Sequence, residues 1–152
     1  MHRFVSEPLT VGVQDRPELD AISRADLVFY GLDHSGPSYE GRVYLNRLDA
    51  GLDTAREADQ GYAGSFFVFG HGRCYGDDGH CDPTQRTTDE FDLRPTHPLA
   101  PWTATVIVTD ALRRVGPDDV TVTVVAVDHR TKDAAPSEAL TVDTVRLLLY
   151  EP

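Results

Sequence analysis

The residue types best suited to chemistry are concentrated in one short segment, residues 71–82. It places two histidines, two cysteines and three aspartates within twelve residues, interspersed with glycine. Thiolate and imidazole together form a ligand set for copper or zinc, so we predict His71, Cys74, His80 and Cys81 as candidate metal ligands. The spacing matches no standard zinc module, in which two closely spaced cysteines are joined by a second, more distant pair. A disulfide between the two cysteines and a plain surface loop are the alternatives, and the sequence leaves all three open.

The same segment and one serine are the candidates for nucleophilic catalysis. Cys74 with His71 or His80 has the composition of a thiol–imidazole pair, but a glycine-rich loop is a poor platform for a nucleophile that must be held rigidly. Ser65 lies in Ala-Gly-Ser-Phe, which is neither the Gly-x-Ser-x-Gly turn of hydrolases nor followed by a helical pattern. No glycine-rich phosphate loop precedes a helix. We therefore expect no independent catalysis.

The elements that would position these residues are mostly strands. Apolar and polar residues alternate over 39–46, and 62–70 is the most apolar run of the chain. The patterns predict strands at 26–32, 39–46, 62–70, 102–108, 120–127 and 140–150. A short helix is predicted over 109–115, with Thr109 or Asp110 as its N-cap and Gly116-Pro117 at its end.

This order of elements predicts an all-β fold. We expect an antiparallel β-sandwich of about six strands, with one short helix and a long loop over 71–98. Residues 1–25 show no clear period and are interpreted as an N-terminal arm. Residues 26–152 are interpreted as a single β-sandwich domain, since no linker or internal repeat interrupts them.

Length and charge exclude several classes of function. The chain has 152 residues, with 14 Lys and Arg against 25 Asp and Glu, and a formal net charge of −11. This balance argues against binding to nucleic acid or to an anionic membrane, both of which need clustered cations. No apolar run is long enough for a transmembrane helix, and the first residues lack the pattern of a signal peptide. We expect a cytoplasmic protein, with co-export alongside a partner left open.

Six segments, in order, resemble a known domain. Residues 39–46 are similar to the strand that opens the C-terminal domain of plant-type polyphenol oxidases, and 62–66 resembles its (Phe/Tyr)-Ala-Gly-Ser-Phe strand. A related motif followed by His-Gly occurs in the β-domain of molluscan hemocyanins, as in Phe69-Gly70-His71-Gly72 here. Residues 105–112, 120–125 and 142–148 are similar to the later strands and the short helix of the same domain. The resemblance extends over residues 26–150.

The resemblance implies a lid rather than an oxidase. In the tyrosinase, polyphenol oxidase and hemocyanin family, a separate helical bundle holds copper, and the β-sandwich covers the copper entrance. A chain of this length has no room for that bundle, so the resemblance implies a free-standing, non-catalytic accessory subunit of a separately encoded tyrosinase-like copper oxidase. It would shield the active-site entrance or assist stability or copper loading. The candidates for a side chain that plugs the entrance are Phe69, for which core packing is the ordinary alternative, and Tyr75.

Cofactor and partner expectations follow from the same resemblance. We expect no tightly bound cofactor, although copper could be held transiently by the Cys and His loop or reside in the partner. A homo-oligomer is also possible. The main alternative is an independent metal-binding or oligomerising β-sandwich with no oxidase partner, and a weaker one is a small enzyme that uses Cys74 or His71.

Overall fold

The polypeptide forms two antiparallel β-sheets that enclose a shared apolar core. The structure is a computed structural model that describes residues 2–11, 19, 22–71, 91, 99–116, 118–128, 130–135 and 139–152. Within these ranges lie seven strands and one α-helix. In chain order they are β1 (Arg3–Val5), β2 (Arg24–Leu32), β3 (Tyr39–Leu45), β4 (Tyr62–Val68), β5 (Trp102–Ile107), α1 (Thr109–Val115), β6 (Val122–Asp128) and β7 (Thr144–Tyr150).

The strands divide into a four-stranded and a three-stranded sheet. The first sheet has the order β1-β6-β3-β4 and the second has the order β5-β2-β7. Every neighbouring pair is antiparallel. The predicted all-β antiparallel sandwich with one short helix is therefore confirmed. No helix among the described residues is both long enough and apolar enough to cross a membrane.

The predicted elements agree with the structure except at their ends and in one additional strand. All six predicted strands are present, with ends that differ by up to four residues, and α1 has the predicted bounds. The additional strand is β1, which lies in the segment interpreted as an arm and pairs with β6. The predicted N-cap is wrong: Val108 occupies that position, and the Thr109 hydroxyl instead accepts a hydrogen bond from the Ala25 N–H at 3.0 Å. That bond joins the helix to β2.

The core forms where the inner faces of the two sheets meet. Phe29 of β2 packs against Phe66 of β4, with ring centroids 5.0 Å apart. The Phe66 ring lies directly over Gly41 of β3, where a Cβ atom would collide with it. The strand pattern therefore needs a glycine at this position, because any larger residue would displace a buried ring. The largest fully buried side chains are Tyr39, Tyr44, Phe29, Leu27, Leu32, Leu112, Val43, Val68, Val108, Val120, Val122 and Val124.

The outer face of the first sheet is also partly covered. A second apolar cluster contains Tyr44, Ala50, Val125 and Val127. Ala50 belongs to the connection between β3 and β4, so this connection folds back over the outer side of the sheet. Polar side chains of β3 and β4 that point outward are consequently enclosed rather than solvated.

Candidate functional site

Two phenylalanines project to solvent where β4 ends. Phe66 and Val68 face the core, whereas Phe67 is 59% exposed and Phe69 is 81% exposed. This is the alternation of a strand, continued one residue beyond it. The alternative that Phe69 packs in the core is therefore wrong. Phe69 instead offers a large apolar surface to any molecule that meets this end of the sheet.

The backbone on either side of Phe69 is tied to the turn that follows β2. The Gly70 N–H donates to the Ser38 hydroxyl at 3.0 Å, and the His71 N–H donates to the His34 carbonyl at 2.9 Å. Gly70 lies so close to the carbonyl oxygen of Gly36 that a Cβ atom would collide with it. Phe69 is thus held between β4 and a fixed crossing of two backbone segments.

Two imidazole rings meet beside Phe69. The ring centroids of His34 and His71 are 5.0 Å apart in an edge-to-face arrangement, and those of Phe69 and His71 are 6.3 Å apart at 88°. His34 Nε2 lies 2.8 Å from the carbonyl oxygen of Ala100, which can only accept, so this nitrogen carries the proton. The result is an aromatic edge of one phenyl and two imidazole rings.

A cleft of about 730 Å³ opens beside this aromatic edge. That volume falls within the roughly 300–1,000 Å³ of sites that take a small molecule or a large side chain. Its walls combine apolar side chains with several polar groups, among them the guanidinium of Arg130, the carboxylate of Asp128 and the imidazole of His71. The lining residues are Pro37, Ser38, Tyr39, Phe67, Val68, Phe69, Gly70, His71, Asp128 and Arg130. The cleft can hold an aromatic or aliphatic group through contact with Phe67 and Phe69.

A buried polar network supports the strands beneath the cleft. Glu40 of β3 is buried, and its Oε1 accepts hydrogen bonds from Ser65 at 2.9 Å and from Arg56 at 2.8 Å. Its Oε2 accepts one from Nε of Arg42 at 3.2 Å. The Tyr62 hydroxyl lies 2.7 Å from Ser65 Oγ and donates to it, because the Ser65 proton is directed to Glu40. Ser65 thus connects Tyr62 to Glu40 through its hydroxyl.

The electrostatics of this network favour a charged carboxylate. Burial by itself would raise the pKa of Glu40. The hydrogen bonds from Ser65 and Arg42, together with the positive charges of Arg42 and Arg56, outweigh burial and hold the pKa of Glu40 below its ordinary value. The network therefore joins β3, β4 and their connection through an ionised group at neutral pH.

A tyrosine that lines the cleft has a hydroxyl without a hydrogen-bond partner. Tyr39 is fully buried, and its OH makes no hydrogen bond within the described part of the chain. Burial, and to a smaller extent the negative charge of Asp33, raises the pKa of Tyr39 well above its ordinary value. This group stays neutral and protonated at any physiological pH, so it cannot serve as a general base.

Only part of the predicted metal site can be compared with the structure. His71 lies beside Phe69 at the cleft, while Cys74, His80, Cys81 and the second plug candidate, Tyr75, lie outside the described residues. Within the described residues, no group of three or more His, Cys, Asp or Glu side chains could hold a metal ion. The metal site and the alternatives to it remain predictions.

Sequence reasoning missed one member of the aromatic edge, His34, and one aromatic residue of the adjoining cleft, Phe67. Phe67 could have been found, because period-two alternation from the buried Phe66 places residues 67 and 69 on the same side. His34 could not, because a turn that lies 37 residues before His71 in the sequence meets it only in the folded sheet pair.

Comparisons with known proteins relate the fold to polyphenol oxidase. No family model matches the sequence, and no curated protein matches it. Solved structures do match. A recombinantly expressed latent aurone synthase, described as a polyphenol oxidase, is 18% identical, with a TM-score of 0.53 over 99% of this chain. The same enzyme co-crystallised with hexatungstotellurate(VI) gives a TM-score of 0.56 at 18% identity, also over 99% of this chain.

These matches establish a shared fold. At 18% identity the likeness is one of architecture, and this chain spans about a quarter of the length of the aurone synthase structures, 24% in each case. The natural-source form of latent aurone synthase matches similarly, at 17% identity with a TM-score of 0.53. The protein is thus a β-sandwich of the kind found in one portion of a polyphenol oxidase.

Proposed function

We propose that this protein is a non-catalytic β-sandwich subunit that binds a tyrosinase-like type 3 copper oxidase and shields its active-site entrance. In this proposal Phe69 enters the entrance and excludes substrate and water. The observation that carries the proposal is the exposure of Phe69 on a fixed backbone, in a fold shared with a portion of polyphenol oxidase.

The geometry at Phe69 supports a plugging role in two ways. A plug must be presented to the partner, and 81% of the Phe69 side chain is open to solvent. A plug must also be held in place, because each side chain or loop that becomes ordered on binding costs about 0.5–1.5 kcal/mol. The hydrogen bonds of Gly70 and His71 to the turn after β2 fix the backbone in advance. Phe69 therefore resembles a preformed anchor of an interface.

The fold comparison supports the nature of the partner. The matched structures are of a latent polyphenol oxidase, and this chain corresponds in length to about a quarter of them. If the remaining part is supplied by a separate subunit, the chain needs no catalytic residues of its own. Assistance with stability or copper loading belongs to the same proposal, with Cys74 and Cys81 as the candidate copper ligands.

Co-expression with a tyrosinase-like copper subunit tests the shielding role. We expect a complex that co-purifies and has low phenolase activity, which rises when the two chains are separated. In the complex, Phe69→Ala should raise activity, because the entrance is no longer filled. The matched control is Ile107→Ala, which truncates another exposed apolar residue on the second sheet. A chain that never co-purifies with such a subunit, or equal activities of the two variants, would refute the proposal.

Copper titration tests the loading role separately. Cu(I) added to the reduced protein should bind more tightly than to the Cys74→Ser/Cys81→Ser variant, because thiolates prefer this ion. Equal weak binding by both proteins would remove copper loading and leave shielding untouched.

A further inference from the structure

Among the strands that the structure describes, four lie at the edges of the two sheets, and one of them differs from the other three. Edge strands carry unpaired backbone N–H and C=O groups. Proteins usually prevent unwanted pairing at such strands by making them short or irregular, or by placing charged side chains on them. β1 has three residues, and the pairings of β4 with β3 and of β5 with β2 each contain a register shift. β7 pairs with β2 over seven consecutive residues without interruption. Within the described chain, β7 is therefore the one long and regular edge.

The composition of β7 does not protect this edge. Its sequence, Thr-Val-Arg-Leu-Leu-Leu-Tyr, contains no proline, glycine, lysine or acidic residue. Leu148 is 37% exposed on the outer face, and Leu147 and Leu149 face the core but are only partly covered. The core consequently remains incomplete along β7.

We propose that β7 pairs with β7 of a second copy of this chain, antiparallel and about a two-fold axis at Leu147. The two three-stranded sheets then join into one of six strands. A two-fold axis perpendicular to the sheet places the core-facing side of both copies on the same side of the joined sheet. Core-facing side chains therefore lie opposite one another only when the axis passes through a residue of β7, and moving the axis by one or more whole residues preserves this match. The register centred on Leu147 is the one that pairs all seven residues of β7.

This register matches the side chains on both faces. On the core side, Val145 lies opposite the partner's Leu149, and Leu147 lies opposite its own copy. On the outer side, Arg146 lies opposite the partner's Leu148. The half-covered leucines of each copy therefore complete the burial of the other, and no cation faces a cation.

Charge sets the conditions under which the pairing forms. Each copy has a net charge of −11, so two copies repel at long range, but the only charge within β7 is that of Arg146. Just beyond β7, Asp143 and the partner's Glu151 approach at each end, although the Asp143 carboxylate packs over Gly31 of β2 rather than toward the edge. Added salt screens both repulsions, so we expect the dimer to strengthen between low and physiological ionic strength.

Sedimentation velocity of the full chain tests the pairing and its register. The wild type should show a concentration-dependent monomer–dimer equilibrium. Leu148→Lys places a lysine opposite the partner's Arg146 at two symmetric positions, and this repulsion should weaken dimerisation about tenfold. The matched variant Leu148→Glu places a carboxylate opposite the partner's Arg146 at the same two positions, so it should not weaken dimerisation. Arg146→Glu/Leu148→Lys restores opposite charges and should recover the dimer. Within each copy, residue 148 lies opposite Asp26 of β2, and Arg146 lies over the Tyr30 ring. The circular dichroism spectrum and melting temperature of every variant are therefore measured alongside, and dimerisation is compared at a temperature at which all variants are folded.

Two results would overturn the inference. A wild-type protein that stays monomeric at every attainable concentration would exclude pairing of β7 with its own copy. Any strand that pairs with β7 would then have to come from a different protein. Equal weakening by Leu148→Lys and Leu148→Glu, or no recovery in the double variant, would exclude the register centred on Leu147. Neither result bears on the proposed association with an oxidase, which is measured in a separate complex.

Discussion

The buried carboxylate of Glu40 gives the sharpest test of how this sandwich is stabilised. Glu40→Gln removes one negative charge and preserves the shape of the side chain. Arg42, whose side chain is 11% exposed, then loses its counter-charge in a partly buried position. Arg56 is 53% exposed and remains solvated. The variant therefore isolates the cost of leaving one enclosed guanidinium without its carboxylate.

The expected loss of unfolding free energy is about 3 kcal/mol. A fully buried pair costs about 3–5 kcal/mol when one partner is removed, and the Arg56 contact adds only ~0–1 kcal/mol because it is exposed to solvent. The glutamine oxygen can still accept the bond from Ser65, which places the total toward the lower end of this range. For a chain of this size, ~3 kcal/mol corresponds to a melting temperature lower by roughly 6–12 °C.

Urea unfolding followed by circular dichroism and by Trp102 fluorescence measures this loss. The matched control is Glu57→Gln, which removes the same charge from an exposed side chain of the neighbouring connection and should stay within about 0.5 kcal/mol of wild type. If the two variants are equally stable, the network contributes nothing beyond its packing and the reasoning is wrong.

The same carboxylate predicts a dependence on pH. The folded-state pKa of Glu40 is depressed, so the folded state binds this proton less readily than the unfolded state. Its contribution is fully present above the ordinary glutamate pKa of about 4.3 and is lost as the pH falls through the lower folded-state value. The difference in unfolding free energy between wild type and Glu40→Gln should therefore shrink as the pH falls below about 4.3. A difference that is constant with pH would show that charge is not its cause.

Three further substitutions follow from the packing, each measured by chemical unfolding. Gly70→Ala forces a Cβ atom against the backbone of Gly36 and should lower the free energy of unfolding by about 1–3 kcal/mol. In Gly36→Ala the added Cβ meets nothing within 4 Å, so the stability should stay close to that of wild type. Equal effects of the two variants would contradict the close approach of Gly70 to Gly36. Phe66→Ala should lower the free energy of unfolding by about 3–5 kcal/mol because it leaves a cavity in the core. Phe67→Ala, at the exposed neighbouring position, should lower it far less. A larger loss for Phe67→Ala than for Phe66→Ala would contradict the strand register. Tyr39→Phe removes a buried hydroxyl that has no hydrogen-bond partner within the described chain, and should raise stability by about 1 kcal/mol; a loss would indicate that this hydroxyl has a partner in solution.

The strand pattern was readable from the sequence because it depends on local alternation. Val122–Asp128 and Tyr39–Leu45 have continuous or alternating apolar residues, and both strands formed close to their predicted bounds. β1 was not predicted, since Arg3–Val5 is too short to show a period and becomes a strand only by pairing with β6. The N-cap of α1 was mispredicted because Thr109 bonds to β2 rather than to its own helix.

The candidate site depended on tertiary structure to a much greater extent. Sequence alone determined the all-β class, the run that became β4 and the residue types of its end, because these follow from local periodicity and composition. Which of the two alternating faces of β4 turned toward the core depended on how the two sheets packed, and the meeting of His34 with His71 depended on the crossing at Gly70. The charged network of Glu40 and the open edge of β7 were equally invisible, because burial and strand order are properties of the packed sheets. Alternation is encoded residue by residue, but contacts between distant segments exist only once both sheets have formed.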